Sequence, residues 1–356
     1  MKVLVIQQKM IGDVLTSSII CQNLKAFIPN TTVHYMVHSN TIPVVLNNPY
    51  IDKIVDFKPE YRKSKVLFYK FLKTLRKENY NAVIDIYGKL ESYIITAFCN
   101  SKIKIGEHKW YSRLLYTHTF NRLTSPTLGV GFAIENRLQL LQPLIKEKKI
   151  TEFYNKPTIY LTEQEKENAL RFFSKNNINI TKPVIMIGVL GSGKSKTYPF
   201  EYMAAVINKI TNTVPEATLL FNYIPSQLNE VTQIYEKCNE QAKEQINFNA
   251  FAPSLREFLA VLSYCTAVIG NEGGIVNMAK ALNIPTFSIF SPWINREAWG
   301  LFEDHKNVSV HLKDYKPELY KGKTKKEIKE NNENLYKAFR PELFPDKLTD
   351  FIKNIK

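Results

Sequence analysis

The chain has 356 residues, 44% of them hydrophobic and 23% charged, with 48 Lys and Arg against 33 Asp and Glu for a formal charge of +15. At about 150 residues per domain this length suits two domains, each large enough for its own core. The composition excludes a disordered chain, a collagen-like chain and a disulfide scaffold.

The charge is unevenly spread. Residues 1–150 hold 22 basic and 10 acidic side chains, or +12, whereas residues 151–356 hold 26 and 23, or +3. Such asymmetry points to an acidic partner for the first half: nucleic acid, an anionic membrane or an acidic small substrate. Solvated lysines on helix faces would give the same count. Cys21, Cys99, Cys238 and Cys265 form no C-x-x-C pair, so neither a zinc site nor a disulfide framework is indicated. No window reaches the ~18 consecutive apolar residues of a membrane span, and Val3–Ile6 is too short for a signal-peptide core. A cytoplasmic protein is expected, free to lie on a membrane surface.

In chain order, Val3–Ile6 reads as a buried strand and Val14 to Phe27 as a helix ended by Pro29. Thr32–Val37 is the next strand, followed by a helix near Ile42–Leu46, a strand at Lys53–Phe57 and a basic helix at Lys65–Lys77. Ala82–Ile86 (strand), Leu90–Phe98 (helix) and Lys102–Ile105 (strand) complete the first half. The second half restarts with strands at Val184–Val189, Ala217–Phe221, Ala267–Ile269 and Pro285–Phe290. Helices at Phe200–Ile210, Leu228–Lys237, Leu255–Leu262 and Ile275–Leu282 alternate with them. This βαβα alternation predicts mostly parallel sheets covered by helices, in two α/β units joined near residues 150–180. Lys313–Asn334 is polar and lysine-rich and reads as a mobile loop or exposed helix, and Asp346–Ile355 as a last amphipathic helix.

Ligands of open parallel sheets sit where strands pass into helices, and three such loops stand out. The first is Gln7-Gln8-Lys9-Met10-Ile11-Gly12-Asp13, where Gly12 permits close backbone approach and Asp13 stands at a helix entrance. An Asp there serves equally as an ordinary N-cap. The second runs from Gly188 to Pro199, and residues 188–195 match the phosphate-cradling pattern G-x-x-x-x-G-K-[ST] after a strand. Pro199, five residues beyond Lys194, would break the helix that such a loop feeds, and it suits the first position of a later helix instead. The next strands end in Asn222 and in Gly270-Asn271-Glu272, without the Asp that holds Mg²⁺ in P-loop enzymes. The third loop is Gly270-Asn271-Glu272-Gly273-Gly274, opening a helix whose free N–H groups suit a diphosphate. Glu272 either accepts bonds from sugar hydroxyls or merely favours that helix N-terminus.

These three segments, in this order, resemble glycosyltransferase family 9, the lipopolysaccharide heptosyltransferases. Ile11-Gly12-Asp13-Val14-Leu15 is similar to the family's I-G-D-V-L opening, Lys196-Thr197-Tyr198-Pro199 to its K-x-W-P block, and Gly270 to Leu282 to its G-N-D-S-G-x-x-H-x-A-x-A-L block. Asn48–Asp52, Tyr80–Asp85 and Glu135-Asn136-Arg137 are weaker likenesses. The resemblance implies a GT-B fold, two Rossmann-like domains facing across a cleft. Residues 1–155 would bind the acceptor and 156–340 the nucleotide-sugar donor, with 341–356 a C-terminal helix packing back toward the first domain.

It also implies inverting transfer of a heptose or related sugar from a nucleotide-sugar such as ADP-heptose to the lipopolysaccharide inner core, with no metal and no cofactor. Asp13 would be the general base, with Lys9 and Gly12 on the acceptor side. Ser192, Lys194, Lys196, Gly273 and Gly274 would hold the diphosphate, with Asn277 and Glu272 beside them. The family's Asp is Glu272 here, its Ser/Thr is Gly273, its His is Asn277 and its Trp is Tyr198. The expected partners are the donor, an acidic acceptor and an anionic inner-membrane face, without nucleic acid. The alternatives are a P-loop NTPase or kinase on 188–195, and an anionic-polymer or nucleic-acid binder. For the latter, aromatics interleave with basic residues at Tyr61-Arg62 and Lys109-Trp110-Tyr111-Ser112-Arg113, but no nucleic-acid module accompanies them.

Overall fold

The computed structural model describes every residue except Tyr111, 124–127, 146–148 and Lys356, and all but the side chain of Ile150. Tyr111 of the aromatic-basic run therefore lies outside the described residues. The chain divides into two units, Met1–Tyr160 and Leu161–Lys356.

The first unit holds strands β1 (Lys2–Ile6), β2 (Thr32–His38), β3 (Lys53–Phe57), β4 (Ala82–Asp85), β5 (Ile103–Glu107) and β6 (His118–Phe120). All pair in parallel, in the order β3-β2-β1-β4-β5-β6. Val3–Ile6 and Ala82–Ile84 have no solvent exposure, as strands covered on both faces require. The order reverses between β1 and β4, so a crevice opens at their carboxyl ends. Asp85 closes the buried end of β4. Its Oδ1 accepts from the Gly88 N–H at 2.9 Å and its Oδ2 from the Tyr116 hydroxyl at 2.7 Å.

The second unit holds β7 (Val184–Gly188), β8 (Thr218–Phe221), β9 (Ala267–Asn271), β10 (Thr286–Ile289) and β11 (Asn307–Val310), again all parallel. Their order, β11-β10-β9-β7-β8, is the other common doubly wound arrangement, with its reversal between β7 and β9. Gly270 lets these two strands meet, because a Cβ there would fall 2.4 Å from the Gly188 carbonyl oxygen.

Several elements differ from the sequence reading. The helix near Ile42–Leu46 is a 3₁₀ turn over Ser39–Val44 with Pro43 inside it. The helices Phe132–Leu138 and Glu163–Lys175 and the strands β6 and β11 carry too short or too polar a pattern to have been read. Lys313–Asn334, read as a mobile loop or exposed helix, forms short helices at Leu312–Tyr315, Pro317–Tyr320 and Lys325–Glu330, the last of them exposed, with Leu312 and Asn332 buried. The expected C-terminal helix is present as Pro345–Asn354. Its Leu348, Phe351 and Ile352 lie in the core of the second unit with Phe287, and Lys347 donates to the Ser309 carbonyl at 2.9 Å.

Gly270 adopts φ +141° as well as standing against β7. Gly270→Ala should therefore cost about 3 kcal/mol, from backbone strain and overpacking. Urea unfolding measures this as a lowered midpoint, and an unchanged midpoint would contradict the packing described.

Candidate active site

In the first unit the chain leaves β1 through Gln7–Met10 and enters the helix Ile11–Phe27. Met10 is the N-cap residue, at φ 62° and with no side-chain cap bond, so Asp13 lies inside the first turn and does not cap it. Its carboxylate instead accepts from Arg137 Nη2 at 2.7 Å. The guanidinium is buried and bonded through all three nitrogens: Nε also donates to Ser17 Oγ at 2.7 Å and Nη1 to the Ala133 carbonyl. Asp13 is thus held through Oδ1, while Oδ2 has no hydrogen-bond partner among the described residues. Arg137 was legible only as part of a weak likeness, because it comes from a helix more than a hundred residues further along the chain.

Gly12 is buried in the same turn, its carbonyl accepting from the Thr16 hydroxyl at 2.8 Å. Lys9 lines a pocket of about 470 Å³ with Arg62, Tyr87, Lys89 and Glu91, at the β1/β4 reversal. Arg62 pairs with Glu91 and reaches the buried Gln8 Oε1 at 3.3 Å.

In the second unit Asn271 ends β9 and organises the neighbouring loop. Its Nδ2 donates to the Gly188 and Val189 carbonyls, both at 2.9 Å, and its Oδ1 accepts from the Tyr198 N–H at 2.7 Å. Between those anchors Lys194–Lys196 forms a 3₁₀ turn. The Ser195 carbonyl is fixed from three sides, by Ser291 Oγ at 2.8 Å, Trp293 Nε1 at 3.0 Å and Asn332 Nδ2 at 2.9 Å. The turn brings Lys196 Nζ to 3.5 Å from Glu272 Oε1 and to 5.7 Å from the Trp293 ring centroid. Ser291, Trp293 and Asn332 were missed by sequence reasoning, since they lie in connections with no motif of their own.

No helix starts at Gly193, and Pro199 sits at the N-cap of the helix Phe200–Thr213, one place before the first position expected for it. The loop is therefore not the P-loop that its G-x-x-x-x-G-K-[ST] spelling suggests. Tyr198 is buried, with its hydroxyl donating to the Phe339 carbonyl at 2.5 Å, so the aromatic of this block belongs to the core. Ser192 and Lys194 are exposed on the loop.

Gly273, at φ 150°, precedes the helix Gly274–Ala281, which carries no side-chain cap. Asn277 Nδ2 folds back to the Gly273 carbonyl at 3.3 Å. Open N–H groups, Lys196 and Glu272 thus converge at the carboxyl ends of β7 and β9, the reversal point of this sheet. Burial pushes the Glu272 carboxyl above the usual carboxylate range, and Lys196 offsets this only in part. Among the described residues no group of three or more His, Cys, Asp and Glu converges on a metal-binding geometry. The four cysteines are buried, which holds their thiols well above their ordinary range and makes them inert.

The profile of Glycosyltransferase family 9 (heptosyltransferase) matches residues 68–329. The chain belongs to this family. It is 26% identical to lipopolysaccharide heptosyltransferase 1 of Campylobacter coli over 82% of this chain and 84% of that protein. It is 20% identical to lipopolysaccharide heptosyltransferase 3 of Escherichia coli over 87% and 91%. Among solved structures, a family 9 glycosyltransferase from Veillonella parvula superposes with TM-score 0.75 at 16% identity, covering 95% and 97% of the two chains. The E. coli ADP-heptose heptosyltransferase II gives TM-score 0.73 at 14% identity, with 99% of each chain covered. The protein is a glycosyltransferase with the GT-B fold.

The strain on Glu272 has a consequence for this glycosyltransferase. Its folded carboxyl binds a proton more readily than the unfolded one, so ionisation destabilises the fold as pH rises from the ordinary carboxylate range through the raised value. Glu272→Gln should therefore raise the melting temperature of the ligand-free protein at neutral pH, with the gain shrinking toward pH ~4. A melting temperature lowered at neutral pH would contradict this.

Proposed function

We propose that the enzyme transfers a heptosyl residue from ADP-heptose to the inner core of lipopolysaccharide by a single inverting displacement. The observation that carries this reading is the pair of prepared sites at the sheet reversals. One is a carboxylate held through a single oxygen, and the other an open helix N-terminus beside a lysine and a buried glutamate. The names of the relatives, lipopolysaccharide heptosyltransferases, and of a similar E. coli enzyme solved with ADP-2-deoxy-2-fluoro heptose support the choice of donor and acceptor.

In this mechanism the acceptor hydroxyl attacks the anomeric carbon from the face opposite the diphosphate. Its proton passes to Asp13 Oδ2 while Arg137 keeps the carboxylate oriented through Oδ1. The bond from the anomeric carbon to the β-phosphate oxygen breaks, and its electron pair leaves with ADP. Charge growing on that oxygen is met by Lys196 and by the N–H groups of Gly273 and Gly274, donors fixed before the reaction begins. Ser192 and Lys194 close over the phosphates from the loop, and Asn277 holds the Gly273 peptide. Glu272 accepts hydrogen bonds from the sugar, which supplements the long 3.5 Å contact that Lys196 Nζ makes with its buried Oε1 in the free protein. Lys9 and the pocket that it lines with Arg62 and Lys89 take the anionic groups of the acceptor on the cytoplasmic side of the membrane.

Asp13→Asn removes the base and keeps the shape, so turnover should fall by about 10²–10⁴-fold with ADP affinity unchanged. Initial rates and calorimetric ADP binding check this, and undiminished turnover would remove Asp13 from its role. Lys196→Ala should weaken ADP binding by about 10-fold or more, the worth of one charge-assisted bond to phosphate. Equal affinity of variant and parent would refute that assignment.

A further inference from the structure

Exposed apolar side chains of the first unit gather where three successive strands end. Past β3, the helix Lys65–Lys77 buries Phe71, Leu72 and Leu75 but leaves Val66, Leu67 and Tyr69 in solvent. Past β4, Leu90 opens the next helix with 74% of its surface exposed, and past β5 Trp110 is 87% exposed. These segments adjoin one another. The Tyr69 ring lies 6.2 Å from that of Phe98 in the Leu90–Phe98 helix. Lys109 Nζ donates to the Gly88 carbonyl at 2.9 Å and lies 5.9 Å from the Tyr93 ring.

The same stretch is densely cationic. Residues 62–77 contain Arg62, Lys63, Lys65, Lys70, Lys73, Arg76 and Lys77 and no acid. Arg62 is paired with Glu91, but Lys65, Lys70 and Lys73 form no ion pair among the described residues. Lys73 instead lies 4.7 Å from the Tyr69 ring centroid. Aliphatic and aromatic side chains standing among uncompensated lysines are the chemistry of an interfacial helix, with apolar groups for the acyl boundary and cations for the headgroups.

We infer that this rim, formed by the Lys65–Lys77 helix, Leu90 and Trp110, docks the enzyme onto an anionic lipid bilayer. A second copy of the chain is a poor occupant, because a self-complementary contact would set cations against cations. A nucleic acid would leave Val66, Leu67 and Leu90 without a partner. Among the described residues no helix is long and apolar enough to cross a membrane, so the surface lies on the bilayer. The rim needs neither donor nor acceptor to bind lipid, so its failure would leave the transfer reaction standing.

Flotation of the full chain with vesicles of equimolar phosphatidylglycerol and phosphatidylcholine, against pure phosphatidylcholine, tests the inference. Binding should require phosphatidylglycerol, weaken at high salt, and fall about 100-fold in the triple variant Lys65→Glu, Lys70→Glu, Lys73→Glu. Val66→Ser with Leu90→Ser should also weaken binding, by about 10-fold or more, the two side chains being exposed and the melting temperature unchanged. Three results would overturn the inference. They are equal binding to both vesicles, duplex DNA binding that is lost in the triple variant while vesicle binding is retained, or self-association in sedimentation that the same substitutions abolish.

Discussion

The carboxamide of Asn271 joins two strands and a loop in the second unit. It takes the carbonyls of Gly188 and Val189 on one side and the N–H of Tyr198 on the other. Those contacts set where the loop leaves β7 and where it returns to the core, and the residue that follows is Glu272. Asn271 is almost wholly buried, so each of these groups would be left without water or partner if the side chain were lost. The close approach at Gly270 serves the same end, since strands that touch there leave their carboxyl ends side by side. Everything proposed for the donor depends on this short stretch of chain.

The two groups proposed for the reaction are held against charge in different ways. Asp13 is secured by a buried guanidinium that is itself held by Ser17 and the Ala133 carbonyl, which fixes the carboxylate without covering its second oxygen. Lys196 faces Glu272 at 3.5 Å, and burial disfavours the ionised glutamate there. In the proposed reaction a diphosphate would draw Lys196 toward itself and sugar hydroxyls would take over Glu272. Donor binding of that kind would relieve a local cost already present in the free protein, a trade between stability and function that many active sites show.

Much of this architecture could be read from the sequence because it rests on local pattern. Alternation of buried apolar runs with helical periodicity gave the two parallel sheets, and the strand-to-helix loops containing Asp13, Lys196 and Glu272 stood out by composition. What could not be read depends on distant partners. Arg137 is brought to Asp13 by tertiary packing, and Asn332 reaches the Ser195 carbonyl from a segment whose polarity suggested a mobile loop. The G-x-x-x-x-G-K-[ST] spelling misleads for the opposite reason, because the same letters followed by Pro199 form a 3₁₀ turn and no helix. Motifs resembling the family at Asn48 and Asp52 have structural work instead: Asn48 accepts from the Tyr50 N–H and Asp52 from the Val33 N–H, which secures the approach to β3.

The proposed reaction is heptosyl transfer from an ADP-linked donor with inversion at the anomeric carbon. The most direct measurement is the anomeric configuration, by NMR, of the product formed from a lipopolysaccharide-core acceptor and a panel of ADP-, UDP-, GDP- and CMP-sugars. A new heptosyl linkage formed from ADP-heptose, with configuration opposite to that of the donor, is the predicted result. A product of retained configuration, or transfer from another nucleotide-sugar but not from ADP-heptose, would contradict it.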